Sequence, residues 1–171
     1  MIVDIGGGTT EVAILALGGP VEVKSVKMAG DNLDEAIMDY VRTSHSLALG
    51  PQTAELLKKT IGSAVKVGDE KTLEVAGRDT VSLMPRKAVI DSADIREAIQ
   101  QPLEAIKRAI LDCLEQAPPE IGADLLEEGI TVVGGGALLP GIDEYISEQT
   151  GLPCKIDKDP LTAVARGTAA F

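Results

Sequence analysis

Two stretches combine glycine with residues able to do chemistry: DIGGGTTE at residues 4–11 and VVGGGALL at 132–139. In each, a glycine triplet follows apolar, strand-forming residues, and glycine lets a backbone and a ligand approach closely and permits positive φ. In the first stretch, successive N–H groups of Gly6, Gly7 and Gly8 and the hydroxyls of Thr9 and Thr10 would face a phosphate, an anion that backbone donors hold without net positive charge. Asp4 stands just before them. A carboxylate beside phosphates makes chemical sense when Mg2+, keeping several of its waters, lies between. Simpler readings stay open, namely two ligand-free turns with Asp4 as a turn-capping carboxylate. Neither stretch is a Walker P-loop, because no Gly-Lys-Ser/Thr follows, and neither is a GxGxxG opening a helix in a βαβ unit.

Glu55 and Lys58, in TAELLKK, are three residues apart and project from one helix face. They are either a binding pair or a surface ion pair of little energetic value. His45, the single histidine, has no serine or cysteine partner in view and receives no chemistry. Cys113 falls on an apolar stripe and reads as core. The acidic clusters Asp69-Glu70 and Glu127-Glu128 read as solvated ends.

These residues need elements to position them. MIVDI and TEVAILAL read as strands joined by the first glycine turn, and VEVKSVKM adds a third strand, a β-meander. Asp31 or Asn32 would cap a helix carrying Leu33, Ile37, Tyr40 and Val41. Gly50-Pro51 breaks it, and Pro51 suits the first turn of the next helix, with Ala54, Leu57 and Ile61 on one side. Between residues 62 and 85 the pattern turns to β-like pieces, KTLEVAG and TVSLM, separated at 77–79: a small lobe inserted into the main one. Asp91 or Ser92 caps a long helical segment to Gln116, with Ile95, Ile99, Ile106, Ile110, Cys113 and Leu114 inward and a bend or restart at Pro102. ADLLEE, GITVVGG, a helix over about 139–149, PCKI and PLTAVARGTAAF complete an α/β chain with a mixed sheet.

At 171 residues and 44% hydrophobic, the chain is long enough for one domain or two small lobes. Its two cysteines lack ligand or disulfide spacing, which fits a reducing cytoplasm. A formal charge of -11 argues against nucleic-acid binding through a broad basic surface. The apolar run at 12–17 is far too short to span a bilayer, and no signal peptide is expected. The abrupt start inside a strand is what a fragment would show.

MIVDIGGGTTEVAI, AGDNLDEAI, TAELLKKTIGSA, EVAGRD, the run from LEQAPPEIGADLLEEG through GGGALLPGIDEYISEQTGLP, and DPLTAVARGTAAF resemble, in order and over essentially the whole chain, the carboxy-terminal half of the MreB family, the bacterial actin-like rod-shape-determining proteins. The resemblance implies an actin-like ATPase (ribonuclease H-like) lobe: a main α/β subdomain over 1–50 and 86–171, and a smaller inserted α+β subdomain over 51–85. It implies ATP or ADP with Mg2+ as cofactors, the latter held by Asp4 through water. Asp4 to Thr10 resembles the second phosphate loop, with Asp4 ordering the attacking water; Glu55, Leu56, Leu57 and Lys58 resemble the segment flanking the nucleoside; Gly134, Gly135, Gly136, Ala137 and Leu138 resemble the adenosine loop. The partners implied are further copies of the protein in ATP-dependent filaments and, for the full-length family, the inner membrane and the cell-wall elongation proteins, with the protein itself cytoplasmic. The first phosphate loop, the water-activating glutamate and the membrane-binding segments belong to the amino-terminal half, so this half alone is expected to bind nucleotide weakly without turning it over. Ala76 stands where relatives often carry a basic residue. A sugar- or acetate-kinase-like phosphotransferase lobe and a ligand-free filament-contact module are the competing readings.

Overall fold

A computed structural model describes residues 1–16 and 18–169; Leu17, at the end of the second expected strand, and Ala170-Phe171, at the end of the last expected helix, lie outside the described residues. The chain divides into two compact units, the first comprising 1–30, 104–138 and 142–171 and the second 31–103 with 139–141. The second is larger than the 51–85 insert expected from the sequence, because the helices on either side of that stretch cluster with it.

In the first unit the expected meander forms: β1 (Ile2–Ile5), β2 (Thr10–Ala16) and β3 (Gly19–Val26) pair antiparallel in sequence order. The mixed five-stranded sheet has the order β3-β2-β1-β7-β8, in which β7 (Ile130–Val133) lies parallel to β1, and β8 (Cys154–Ile156) parallel to β7. Val3, Ile5, Val12, Ile14 and Val132 are fully or almost fully buried. Ile106, Ile110 and Cys113 of α4 (Gln100–Glu115) and Ile142 and Ile146 of α6 (Ile142–Thr150) add to the same unit's buried residues. Burial also pushes the Cys113 thiol up. α5 (Gly122–Glu128) and α7 (Ala163–Ala169) complete this unit. The helix expected from about 139 starts at Ile142, after Gly141, whose φ of +75 interrupts a continuous helix.

The second unit carries α1 (Gly30–Ser44), whose first residue belongs to the first unit, and α2 (Pro51–Ile61) with Pro51 in its opening turn. Leu33, Ile37 and Val41 of α1 and Ala54, Leu57 and Ile61 of α2 are buried, as the helical spacing requires. α1 opens at Gly30, one residue ahead of the expected cap. Its three-stranded antiparallel sheet has the order β4-β5-β6, with the two-residue β4 (Leu47–Ala48), β5 (Thr72–Asp79) and β6 (Pro85–Asp91). TVSLM is therefore not a strand. It is the hairpin turn, drawn tight by Asp79 Oδ1, which accepts the N–H groups of Val81 at 3.0 Å and Ser82 at 2.8 Å. Those donors hold the Asp79 carboxyl down at about 2. Asp91 caps α3 (Ser92–Ala98) in a reciprocal box with Asp94. The break expected at Pro102 falls between Ala98 and Gln100, so Pro102 sits in the first turn of α4, where its missing N–H costs no helical bond.

Candidate functional site

The first glycine loop closes between β1 and β2. Gly6 donates its N–H to the Thr9 carbonyl at 3.0 Å, and its own carbonyl accepts the Gly30 N–H at 3.1 Å. Gly7, Gly8 and Thr9 are exposed. A Cβ added at Gly8 would meet nothing within 4 Å, so the backbone there borders open space. Thr10 differs from its neighbour: it is fully buried and donates its hydroxyl to the Met28 carbonyl at 2.7 Å. Of the two threonines, only Thr9 is exposed. The signal was present in the sequence, since Thr10 shares the inward face of β2 with Val12 and Ile14.

The second glycine loop leaves β7 beside the first. Asp4 of β1 is in register with Val133 of β7, and the strands are parallel, so both triplets follow the carboxyl ends of adjacent strands. The second loop is also packed against the end of β1. Gly134 has a φ of +82, and a Cβ there would run into Asp4 Oδ1 and come within 2.5 Å of the Ile5 carbonyl oxygen; one at Gly136 would run into the Ile5 side chain. Gly135 is open except for Leu161, 3.9 Å from where its Cβ would be. The chain then makes one tight turn through Gly135–Leu138, burying Ala137 and leaving Leu138 58% exposed.

Asp4 sits at the root of both loops, half-buried. Burial, and then the Glu11 carboxylate opposite it on β2, push its carboxyl above the usual value. Among the described residues it has neither a hydrogen bond nor an ion pair, so it does not cap the turn. An unpartnered carboxylate disfavoured in its charged form is a place where a cation would be welcome. Among the described residues no group of three or more His, Cys, Asp or Glu is arranged to hold a metal directly; a hydrated Mg2+ needs only one or two carboxylates beside the phosphates.

In the second unit, Glu55 and Lys58 do not pair with each other. Glu55 pairs with Lys59 at 2.6 Å, and Lys58 reaches Asp34 at 2.8 Å, its side chain and that of Asp34 only 14% and 15% exposed. Asp34 is pushed up by burial, against the pull of Lys58. Leu56 is outside and Leu57 is fully buried, so Leu57 offers a ligand no side chain. Asp34 was missed by sequence reasoning because nothing in AGDNLDEAI marks one acid as inward. His45 pairs with Asp94 at 3.0 Å, a contact within the unit and not a nucleophile's base.

The profile of the MreB/Mbl protein family matches residues 1–171. The chain belongs to that family. It is 47% identical over 167 residues to the cell shape-determining protein MreB of Escherichia coli (strain K12), covering 98% of this chain and 48% of the relative. It superposes on the crystal structure of MreB 5 of Spiroplasma citri bound to AMPPNP with a TM-score of 0.96 and 43% identity, covering 99% of this chain and 51% of that one. A MamK double helical filament matches with a TM-score of 0.79 at 25% identity, over 99% and 54% of the two chains. The chain thus spans about half the length of the MreB/Mbl relatives it matches. Its α/β fold, a mixed sheet flanked by helices, is the actin-like one shared by MreB and MamK.

Proposed function

We propose that this chain is the nucleotide-binding half of an actin-like filament protein, in which the two glycine loops of the first unit hold ATP or ADP. The observation that carries the reading is their juxtaposition at the ends of β1 and β7, with the unpartnered, half-buried Asp4 at their root. Gly7, Gly8 and Thr9 would receive the phosphates, since these residues are exposed and Gly8 borders open space. Gly134, Gly135, Gly136, Ala137 and Leu138 would receive the nucleoside. The donor set suits Mg2+ held through water by Asp4; when bound, that ion would neutralise phosphate charge. Glu55, Leu56 and Lys58 are proposed as further nucleoside contacts on the strength of the family resemblance, Lys58 while still tied to Asp34.

Supporting the reading, the MreB 5 relative was crystallised with AMPPNP and, in a second structure, with ADP. Self-association of the whole protein follows the same reasoning from the MamK filament. The role in cell shape, the cytoplasmic placement, and contact with the inner membrane and the cell-wall elongation proteins are proposals for the whole protein. Among the described residues no helix is long and apolar enough to cross a membrane.

Calorimetry and thermal shift with Mg-ATP and Mg-ADP test the binding. Heat and a raised melting temperature are expected, both diminished in Asp4→Ala; neither heat nor shift in the native chain would overturn the reading. Hydrolysis of phosphoanhydrides depends on positioning and electrostatic stabilisation around the whole phosphate chain. These residues alone are therefore expected to show no turnover, and a rate surviving Asp4→Ala would contradict the role given to Asp4. In sedimentation the chain is expected to stay in the supernatant with or without ATP.

A further inference from the structure

The segment after β8 folds back over the second glycine triplet, and one arginine ties its ends. The Asp157 N–H extends the ladder to the Val132 carbonyl at 3.0 Å, and the Asp159 N–H turns back onto Asp157 Oδ1 at 2.9 Å. Thr162 donates its hydroxyl to the Asp159 carboxylate. From the last turn of α7, Arg166 Nη2 reaches Asp157 Oδ1 at 2.5 Å and the Asp159 carbonyl at 3.2 Å. Between these ties the Pro160 carbonyl accepts the Gly134 N–H at 2.9 Å, and Leu161, 65% exposed, lies over Gly135.

Two roles are open to Arg166. As an ordinary ion pair, its side chain 52% exposed, it would be worth little. Its acceptors, however, are both in the short strap whose carbonyl partners Gly134, the residue in a left-handed conformation against Asp4. A glycine loop is intrinsically free, and a site that binds tightly needs its loop held in one conformation beforehand.

We propose that Arg166 is a positioning residue for the nucleotide: by clasping Asp157 and the Asp159 carbonyl it holds the 157–162 strap, and with it Pro160 and Leu161, against the second glycine loop in the conformation that receives the nucleoside. The inference rests on the nucleotide-binding reading above. Arg166 itself touches no ligand. It acts through Pro160 on Gly134 and through the placement of Leu161, which gives the loop an apolar wall.

The test uses the full chain with Arg166→Ala, Arg166→Lys, Asp157→Asn and, as a control, Lys158→Ala, which removes a like charge from an exposed strap position. Each is titrated calorimetrically with Mg-ATP, Mg-ADP and Mg-tripolyphosphate, and amide exchange is followed at 134–138 without ligand. Loss of a charge-assisted tie that only preorganises the loop predicts ATP and ADP affinity about three- to tenfold weaker in Arg166→Ala and Asp157→Asn. Tripolyphosphate affinity stays unchanged, exchange at 134–138 quickens, Arg166→Lys recovers part of the affinity, and Lys158→Ala behaves as the native chain. If Arg166→Ala does not fold, Asp157→Asn decides. Native affinity in a folded Arg166→Ala, or an equal loss toward tripolyphosphate matched by Lys158→Ala, overturns the positioning role while nucleotide binding stands. A native chain that binds no nucleotide overturns the underlying reading, and the inference with it.

Discussion

The Asp4 carboxylate occupies the space that a side chain at Gly134 would need. The contact packs the second glycine triplet against the end of β1, the strand that leads into the first. It also explains why glycine stands at 134. A left-handed φ of +82 and the encroachment of Asp4 and Ile5 exclude a Cβ for separate reasons.

Gly134→Ala and Gly8→Ala should therefore part company. The first meets both backbone strain and overlap in a packed place, and is expected to cost about 2–4 kcal/mol. The second has no positive φ and no neighbour within 4 Å, so unfolding stability is expected to hold or rise by a few tenths of a kcal/mol, roughly, as the unfolded chain loses freedom. Urea denaturation compares them. Gly8→Ala should still weaken Mg-ATP binding, because its methyl enters the space given to phosphate; equal stability of the two variants would contradict the packing described.

Asp4 makes a prediction about pH. Burial and Glu11 raise its carboxyl in the fold, so the folded state holds the proton more firmly than the unfolded chain does. The associated stability is fully present below the unfolded value, about pH 4, and is lost as pH rises through the raised folded value. Asp4→Asn cannot ionise and escapes that loss. It is expected to melt higher than the native chain at pH 7 without ligand, the gap closing toward acid pH, and to lose the shift that Mg-ATP gives. An Asn variant melting lower at pH 7 would show that Asp4 has a favourable partner in the ligand-free fold.

How far the sequence could be read depends on which interactions are local. β1 and β2 follow from their β-branched, apolar runs, β3 from Val21, Val23 and Val26 among polar residues, and α2 from Pro51 with the spacing of Ala54, Leu57 and Ile61. The hairpin turn was misplaced because Val81, Leu83 and Met84 look like strand residues but are exposed. Its geometry comes from the Asp79 carboxylate and from Leu83 at φ 61, neither of which composition encodes. The two-residue β4 exists only through pairing with Asp79 and Arg78, a distant partner. At the site, the glycines and Asp4 were legible as residue types, and the inward turn of Thr10 follows from strand alternation. The partner of Lys58 was not, because Asp34 lies on another helix. The Arg166 clasp depends on the strap's return over Gly134, again invisible in spacing.

Lys58 offers the sharpest separation of structural from ligand roles. Lys58→Met leaves Asp34, already disfavoured as a charge, without the cation that opposes its burial. A loss of about 1–3 kcal/mol is expected, since removing one partner of a buried pair strands the other. The deficit should shrink as pH falls and Asp34 takes a proton, because its folded value, raised further without Lys58, is titrated before the unfolded one. Glu55→Gln, which chiefly disturbs the exposed pair with Lys59, should leave stability nearly unchanged. Replacing both partners, Asp34→Leu with Lys58→Met, should recover most of the loss, because an apolar pair of similar volume removes both buried charges. Calorimetry with Mg-ATP on that double variant then isolates the ligand role. If Lys58 contacts the nucleoside, the stable double variant still binds more weakly than the native chain, whereas native affinity would confine Lys58 to holding Asp34.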